Sequence, residues 1–253
     1  VSVLRGAESL ANVPRSINLG SSVDISRSFI LCSLRTSGTI FSDNDFIRAW
    51  LSAPATLELS MTQSNADAVA EWQVVDFQGA LVQSGAVSFA AGDGALGAAV
   101  TAVNTAASWL IYSTQTDGGT STNVGQKMVA GTITSATVLN FTRDSTGQAM
   151  NLAWHLVEFT DGTLVQRGLD TFSAGETVLS LPVSVVDPAR SVLAAGAWYQ
   201  RGGRTAYTAN DDIGVASVQM NLSSPTTIRL ERSFTGSAAH IPWSLISFSG
   251  LSY

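Results

Sequence analysis

The sequence predicts an all-β chain built from three tandem antiparallel β-sandwich repeats. Three observations carry this expectation. Short apolar runs alternate with clusters of Gly, Ser, Thr, Asn and Asp, and no stretch holds the i, i+3, i+4, i+7 spacing of an amphipathic helix. A phrase centred on tryptophan is written three times, as AEWQVVDFQGALVQSG (70–85), LAWHLVEFTDGTLVQRG (152–168) and IPWSLISFSGLSY (241–253). Two further anchors return with the same period of roughly 80 residues, the self-similarity of repeat architectures. One is a Val-Asp/Asn pair at Val23-Asp24, Val103-Asn104 and Val186-Asp187. The other is the glycine of a V-x-x-G phrase at Gly6, Gly85 and Gly168.

Taken in order, SVLRGAESLANVPRSINLGSSVD (2–24) parallels LVQRGLDTFSAGETVLSLPVSVVD (164–187), while the third Trp phrase has no such sequel. Residues 1–20 therefore read as a strand segment completing a permuted third repeat, in the same chain or head-to-tail in a neighbouring subunit. Either would cover an open sheet edge. The remainder divides into repeat 1 (21–97), repeat 2 (98–180) and repeat 3 (181–253). RSFILCSLRT (27–36) reads as an apolar strand containing Cys32. As the only cysteine, it can form no intrachain disulfide and reads as a buried, inert thiol. TLELSMT alternates Leu57, Leu59 and Met61 against Glu58 and Ser60, and TIRLER repeats the pattern with Ile228 and Leu230, as half-buried strands do. After each tryptophan, apolar residues stand at +2, +3 and +5: Val74, Val75, Phe77; Leu156, Val157, Phe159; Leu245, Ile246, Phe248. Such a strand is covered on both faces. One cover is its own repeat, with Trp72, Trp154 and Trp243 as core anchors; the other is a neighbouring repeat around a pseudo-threefold axis. Asp161-Gly162 predicts a hairpin from the Trp strand into the next V-x-x-G strand.

The order of a strand (RSFILCSLRT), an acidic loop (SDNDF), a strand entering a Ser/Thr-rich phrase (LSAPATLELSMT) and a closing W-x-V/L-V/I strand resembles the H-type lectin domain. The resemblance implies a six-stranded antiparallel sandwich of a kind that assembles as a trimer, so three in tandem would imitate that trimer in one chain. It does not extend to sugar binding, because the polar loop residues of the family's site have no position-by-position counterpart.

Composition narrows the function. Apolar residues make up 45% and charged residues 13%, about half the usual globular share of charge, so much of the surface is neutral Ser, Thr, Gly, Asn and Gln. Lys127 is the only lysine among 13 basic residues. A net charge of −6 offers no field for nucleic-acid phosphate, and no apolar run reaches the length of a membrane span. His155 and His240 have no repeated acid or cysteine partner and read as structural. Asp43, Asp45, Asp211 and Asp212 are weak calcium candidates in comparable loops, where the middle repeat instead carries Lys127. In QRGGRTAY, Arg201 and Arg204 could take a phosphate or acidic sugar, with Trp198 and Tyr207 as stacking aromatics. Asp76 and Glu158 stand at equivalent positions, but repeat 3 has Ser247 there, which weakens a paired-carboxylate hydrolase. No metal, cofactor or enzymatic activity is expected. The expected function is a non-catalytic structural or adhesive protein at a virion or extracellular surface, such as a fibre, spike or capsid-decoration component. Its partners would be proteins of a larger assembly or further copies of itself. The alternatives are a lectin or receptor-binding module taking a cell-surface glycan, and a subunit of an extracellular filament.

Overall fold

The computed structural model describes residues 1–37, 41–117, 123–196 and 202–250. Strands and short 3-10 turns make up its regular structure there. The first six strands are β1 (Ser2–Ser9), β2 (Arg15–Asn18), β3 (Ser28–Arg35), β4 (Arg48–Ala53), β5 (Thr56–Ser60) and β6 (Val69–Asp76). Next come β7 (Ala80–Phe89), β8 (Ala95–Ala99), β9 (Ser108–Thr116), β10 (Ala130–Ser135), β11 (Val138–Thr142) and β12 (Met150–Phe159). The last are β13 (Leu164–Phe172), β14 (Val178–Pro182), β15 (Ser191–Ala195), β16 (Arg204–Thr205), β17 (Gln219–Ser224), β18 (Thr227–Glu231) and β19 (Ala239–Ser247).

The pairing recurs along the chain. Antiparallel sheets β1-β6-β3, β7-β12-β9 and β13-β19-β15 each place a Trp strand in the centre, with short β16 added beside β19. Sheets β2-β5-β4, β8-β11-β10 and β14-β18-β17 each centre on the alternating strand. Each Trp sheet shares a core with its partner sheet. In the first unit Ile30, Cys32, Trp72 and Val74 meet Ile17, Ala49, Leu57 and Leu59. The second and third units repeat this around Trp154 and Trp243.

Two expectations are corrected here. Residues 1–20 do not complete the third unit. β1 lies on β6 with Gly6 opposite Trp72, and β2 lies on β5 with Ile17 opposite Leu57. The third unit has its own opening strand, β13, with Gly168 opposite Trp243. Each unit therefore begins at its V-x-x-G strand, and the divisions expected at 98 and 181 fall inside β8 and β14. Nor do the strands flanking Asp161-Gly162 form a hairpin. Both edges of β12 are already taken by β7 and β9, so no edge is left for β13. Gly162, at φ +91°, instead turns the chain from the second unit into the third.

The anchors now have physical causes. The glycine and tryptophan are cross-strand partners in every unit. A Cβ on Gly6, Gly85 or Gly168 would stand 2.5, 2.6 or 2.8 Å from the indole opposite, so the ring lies across the space that a side chain would fill. In the Val-Asp/Asn anchor, the side chain accepts a backbone N–H two residues on: Ser26 at 3.0 Å, Ala106 at 3.1 Å and Ala189 at 3.0 Å. Its carbonyl accepts the hydroxyl of Ser28, Ser108 or Ser191 at 2.7–2.8 Å. This local turn launches the third strand of each unit.

The Trp strands are buried on both faces, as their pattern predicts. Residues at +3 and +5 leave their own cores and join a fourth cluster drawn from all three units, including Val75, Phe77, Val157, Phe159 and Ile246, with Phe248 packed against it. The +5 phenylalanines form a chain of edge-to-face contacts. Phe77 and Phe159 are 5.8 Å apart at 84°, and Phe159 and Phe248 are 6.0 Å apart at 82°. Such pairs add about 0.5–1.5 kcal/mol beyond burial, itself about 1.5–3 kcal/mol per large apolar side chain.

Candidate functional site at the meeting of the three units

Equivalent loops of the three units converge on Lys127. Each carries a 3-10 turn just ahead of β4, β10 or β17, at Asp43–Asp45, Val124–Gln126 and Ile213–Val215. Lys127 is 0% exposed, and its ammonium donates to the Phe41 carbonyl at 3.2 Å. Burial pushes its pKa down, and the charges of Asp43, Asp45 and Asp211 oppose that shift. Asp45 accepts the Ser42 N–H at 2.8 Å, and Asp211 accepts the Phe41 N–H at 3.1 Å, tying the first unit to the third. Three of the four calcium candidates are thus gathered around the ammonium. Asp212 instead caps its own turn by accepting the Gly214 N–H at 2.9 Å.

The junction of the second and third units holds a second polar group. Arg204 donates to Asp144 at 2.6 Å across the junction. His240 Nε2 stands 3.6 Å from the same carboxylate, and its Nδ1 stands 2.9 Å from the Thr171 hydroxyl. Hydroxyl, imidazole and carboxylate occur in that order, but 3.6 Å is too long for a hydrogen bond and Asp144 is committed to Arg204. Tyr207 packs on Phe234 at 5.3 Å, and its carbonyl accepts the Gly125 N–H at 2.8 Å. Arg204 and Tyr207 therefore bind the second and third units together. Trp198 and Arg201 lie outside the described residues. Asp76 pairs with Arg27 at 2.6 Å, and Glu158 accepts the Asn104 N–H at 2.6 Å, so each carboxylate holds the bend of its own unit.

No protein-family model matches the chain, and comparison with curated proteins finds no match.

The structure also reveals residues that the sequence reading passed over. Arg143 and Arg232 are buried at equivalent positions after β11 and β18. Arg143 donates to the carbonyls of Ala90, Ala91, Asp93, Gln126 and Gln148, and Arg232 to those of Ser173, Glu176, Val215 and Ser237. Each guanidinium also lies over a phenylalanine, Phe89 at 5.2 Å and Phe172 at 4.9 Å. The first unit has Met61 and Leu10 at the corresponding places, both buried. Arginine thus goes with phenylalanine in two units and methionine with leucine in the other. That matched exchange was visible in the aligned repeats. His155 is buried where the second unit meets the first, both ring nitrogens lack a hydrogen-bond partner, and burial lowers its pKa to about 4. It is a neutral packing residue at neutral pH.

Proposed function

We propose that the chain is a non-catalytic structural or adhesive body of the kind used in virion fibres, spikes and capsid decoration. In this reading its three H-type-lectin-like units stand in a pseudo-threefold arrangement. One observation carries it: the groups best suited to chemistry are spent on joining the units or on tying down loops within them. Lys127, Asp43, Asp45 and Asp211 meet across three loops, and Arg204 is bound by Asp144 of another unit. Arg143 and Arg232 are consumed by loop carbonyls. The shared aromatic cluster supports one rigid body, which suits a load-bearing or display role.

Antibody raised against the recombinant chain, applied to fractionated particles, filaments and soluble material from producing cells, tests this proposal. Label on virions supports it, and label on filaments selects the filament alternative. Label confined to small soluble species overturns it. Saturable glycan-array binding that is lost in Tyr207→Ala would favour the lectin alternative.

A further inference from the structure

The outward face of each Trp sheet carries one row of three side chains across its strands. In the second unit the row is Ser84, His155 and Ile111; in the third it is Arg167, Ser244 and Ala194. The first unit's β4 covers the second unit's row. There the Ala49 N–H donates to the Ser113 hydroxyl at 2.9 Å, and the space left beside His155 and Ile111 is about 10 Å³. The second unit's β10 approaches the third unit's row in the same way, yet a cleft of about 240 Å³ remains. The cause is in the residues. His155 is matched by Ser244, Ile111 by Ala194 and Ser113 by Gly196, each smaller than its counterpart. The same row gains a guanidinium where the second unit has Ser84.

That guanidinium is unlike its neighbours. Arg27 and Arg204 have carboxylate partners, and Arg143 and Arg232 are saturated by carbonyls. Arg167 is half-buried and donates to the Thr105 carbonyl; among the described residues it has no carboxylate partner, and no acid lines the cleft. A desolvated cation without a counter-charge is costly, and an anion arriving in the cleft removes that cost. Ile133 and Leu169 also line the cleft, and Ser244 and Ala194 stand beside Arg167 in its row.

We propose that the cleft between the second and third units binds a small carboxylate with an apolar body. The carboxylate sits on Arg167 and Ser244, and the body lies against Ile133, Leu169 and Ala194. The volume falls below that of drug-sized pockets, which suits a single ring. This site goes beyond the structural role proposed above and does not depend on it.

Isothermal titration of the full chain with benzoate, with neutral benzamide and with glucuronate tests it. Benzoate should saturate, with benzamide weaker by about tenfold or more, the effect expected of losing a charge-assisted hydrogen bond. Glucuronate should be weaker than benzoate because its body is polar. Arg167→Gln should abolish the preference for benzoate over benzamide. A double variant, Ala194→Ile with Ser244→His, supplies the two larger side chains of the sealed junction's row and should abolish binding while the chain stays folded. No saturation by benzoate up to about 10 mM, well above a weak millimolar affinity, overturns the proposal. So do equal affinities for benzoate and benzamide, unchanged binding in the refilled variant, or tighter binding of glucuronate.

Discussion

Substituting Gly85 by alanine tests the contact that defines each unit. The added Cβ would lie 2.6 Å from Cζ2 and 2.9 Å from Cε2 of Trp154. Carbon atoms rest at about 3.5–4.0 Å, so the ring or the strand must move by roughly 1 Å. Trp154 is buried in the second unit's core, so the displacement meets packed side chains. Overpacking of this kind costs about 1–3 kcal/mol. In a chain of this size each kcal/mol shifts the thermal midpoint by about 2–4 °C, so the expected fall is roughly 2–12 °C. Gly168→Ala should lie at the upper end. Three indole atoms stand 2.8 Å from its Cβ position, and Trp243 is held by its own N–H donation to Asp170 at 2.6 Å. Gly97→Ala is the control: the nearest atom is the Leu139 carbonyl oxygen at 3.6 Å, an ordinary contact. That change should be neutral or stabilise by about 0.4–1 kcal/mol through the unfolded chain. Thermal unfolding followed by circular dichroism compares the three, and Trp154→Phe in the Gly85→Ala background should recover part of the loss, because the smaller ring vacates the space the new methyl needs. Equal midpoints for Gly85→Ala and Gly97→Ala, or a cost undiminished in that double variant, would refute the reasoning.

Other consequences follow from the same packing. Lys127→Met leaves buried Asp43 and Asp45 without their compensating charge; chemical denaturation should show a loss of about 3–5 kcal/mol, much of it recovered when both acids become asparagine. His155 should make stability fall in mild acid. Its folded value of about 4 lies below the ordinary 6.5, so the unfolded chain takes up the proton first as pH drops. The stability is whole above about pH 6.5 and lost progressively toward pH 4, by roughly 3 kcal/mol. His155→Leu should flatten that part of the profile, and parallel profiles would contradict the assignment. Arg143→Met strips donors from five carbonyls and should cost about 3 kcal/mol or more, with Arg143→Lys restoring little because an ammonium cannot reproduce the planar fork.

Much of the fold was legible in the chain. The alternation of Leu57, Leu59 and Met61 against Glu58 and Ser60 predicts a half-buried strand, and β5 is one. The apolar residues at +2, +3 and +5 from each tryptophan predicted a strand buried twice over, and Val74 and Val75 indeed enter different cores. Both are local signals read from the alternation of faces along a strand, set by the pleat of the extended backbone. The partner of the V-x-x-G strand is not legible locally, because a Trp strand, Asp161-Gly162 and the next such strand look in sequence like a hairpin, whereas β13 pairs with β19. Of the candidate site residues, Asp43, Asp45 and Asp211 prove to be neighbours of Lys127, a grouping the sequence hides because Lys127 stands far from them along the chain. The cleft beside Arg167 left only a faint sign, three small residues where another repeat has larger ones.

By itself the sequence determined the strand content, the period and the anchor residues, since each depends on a residue's own shape and its near neighbours. The tertiary structure decided which edges were free to pair, which loops met and where a junction stayed open. Those outcomes depend on every strand being in place at once: a sheet edge can be filled only once, and a buried charge settles where other units bring opposite charges to it.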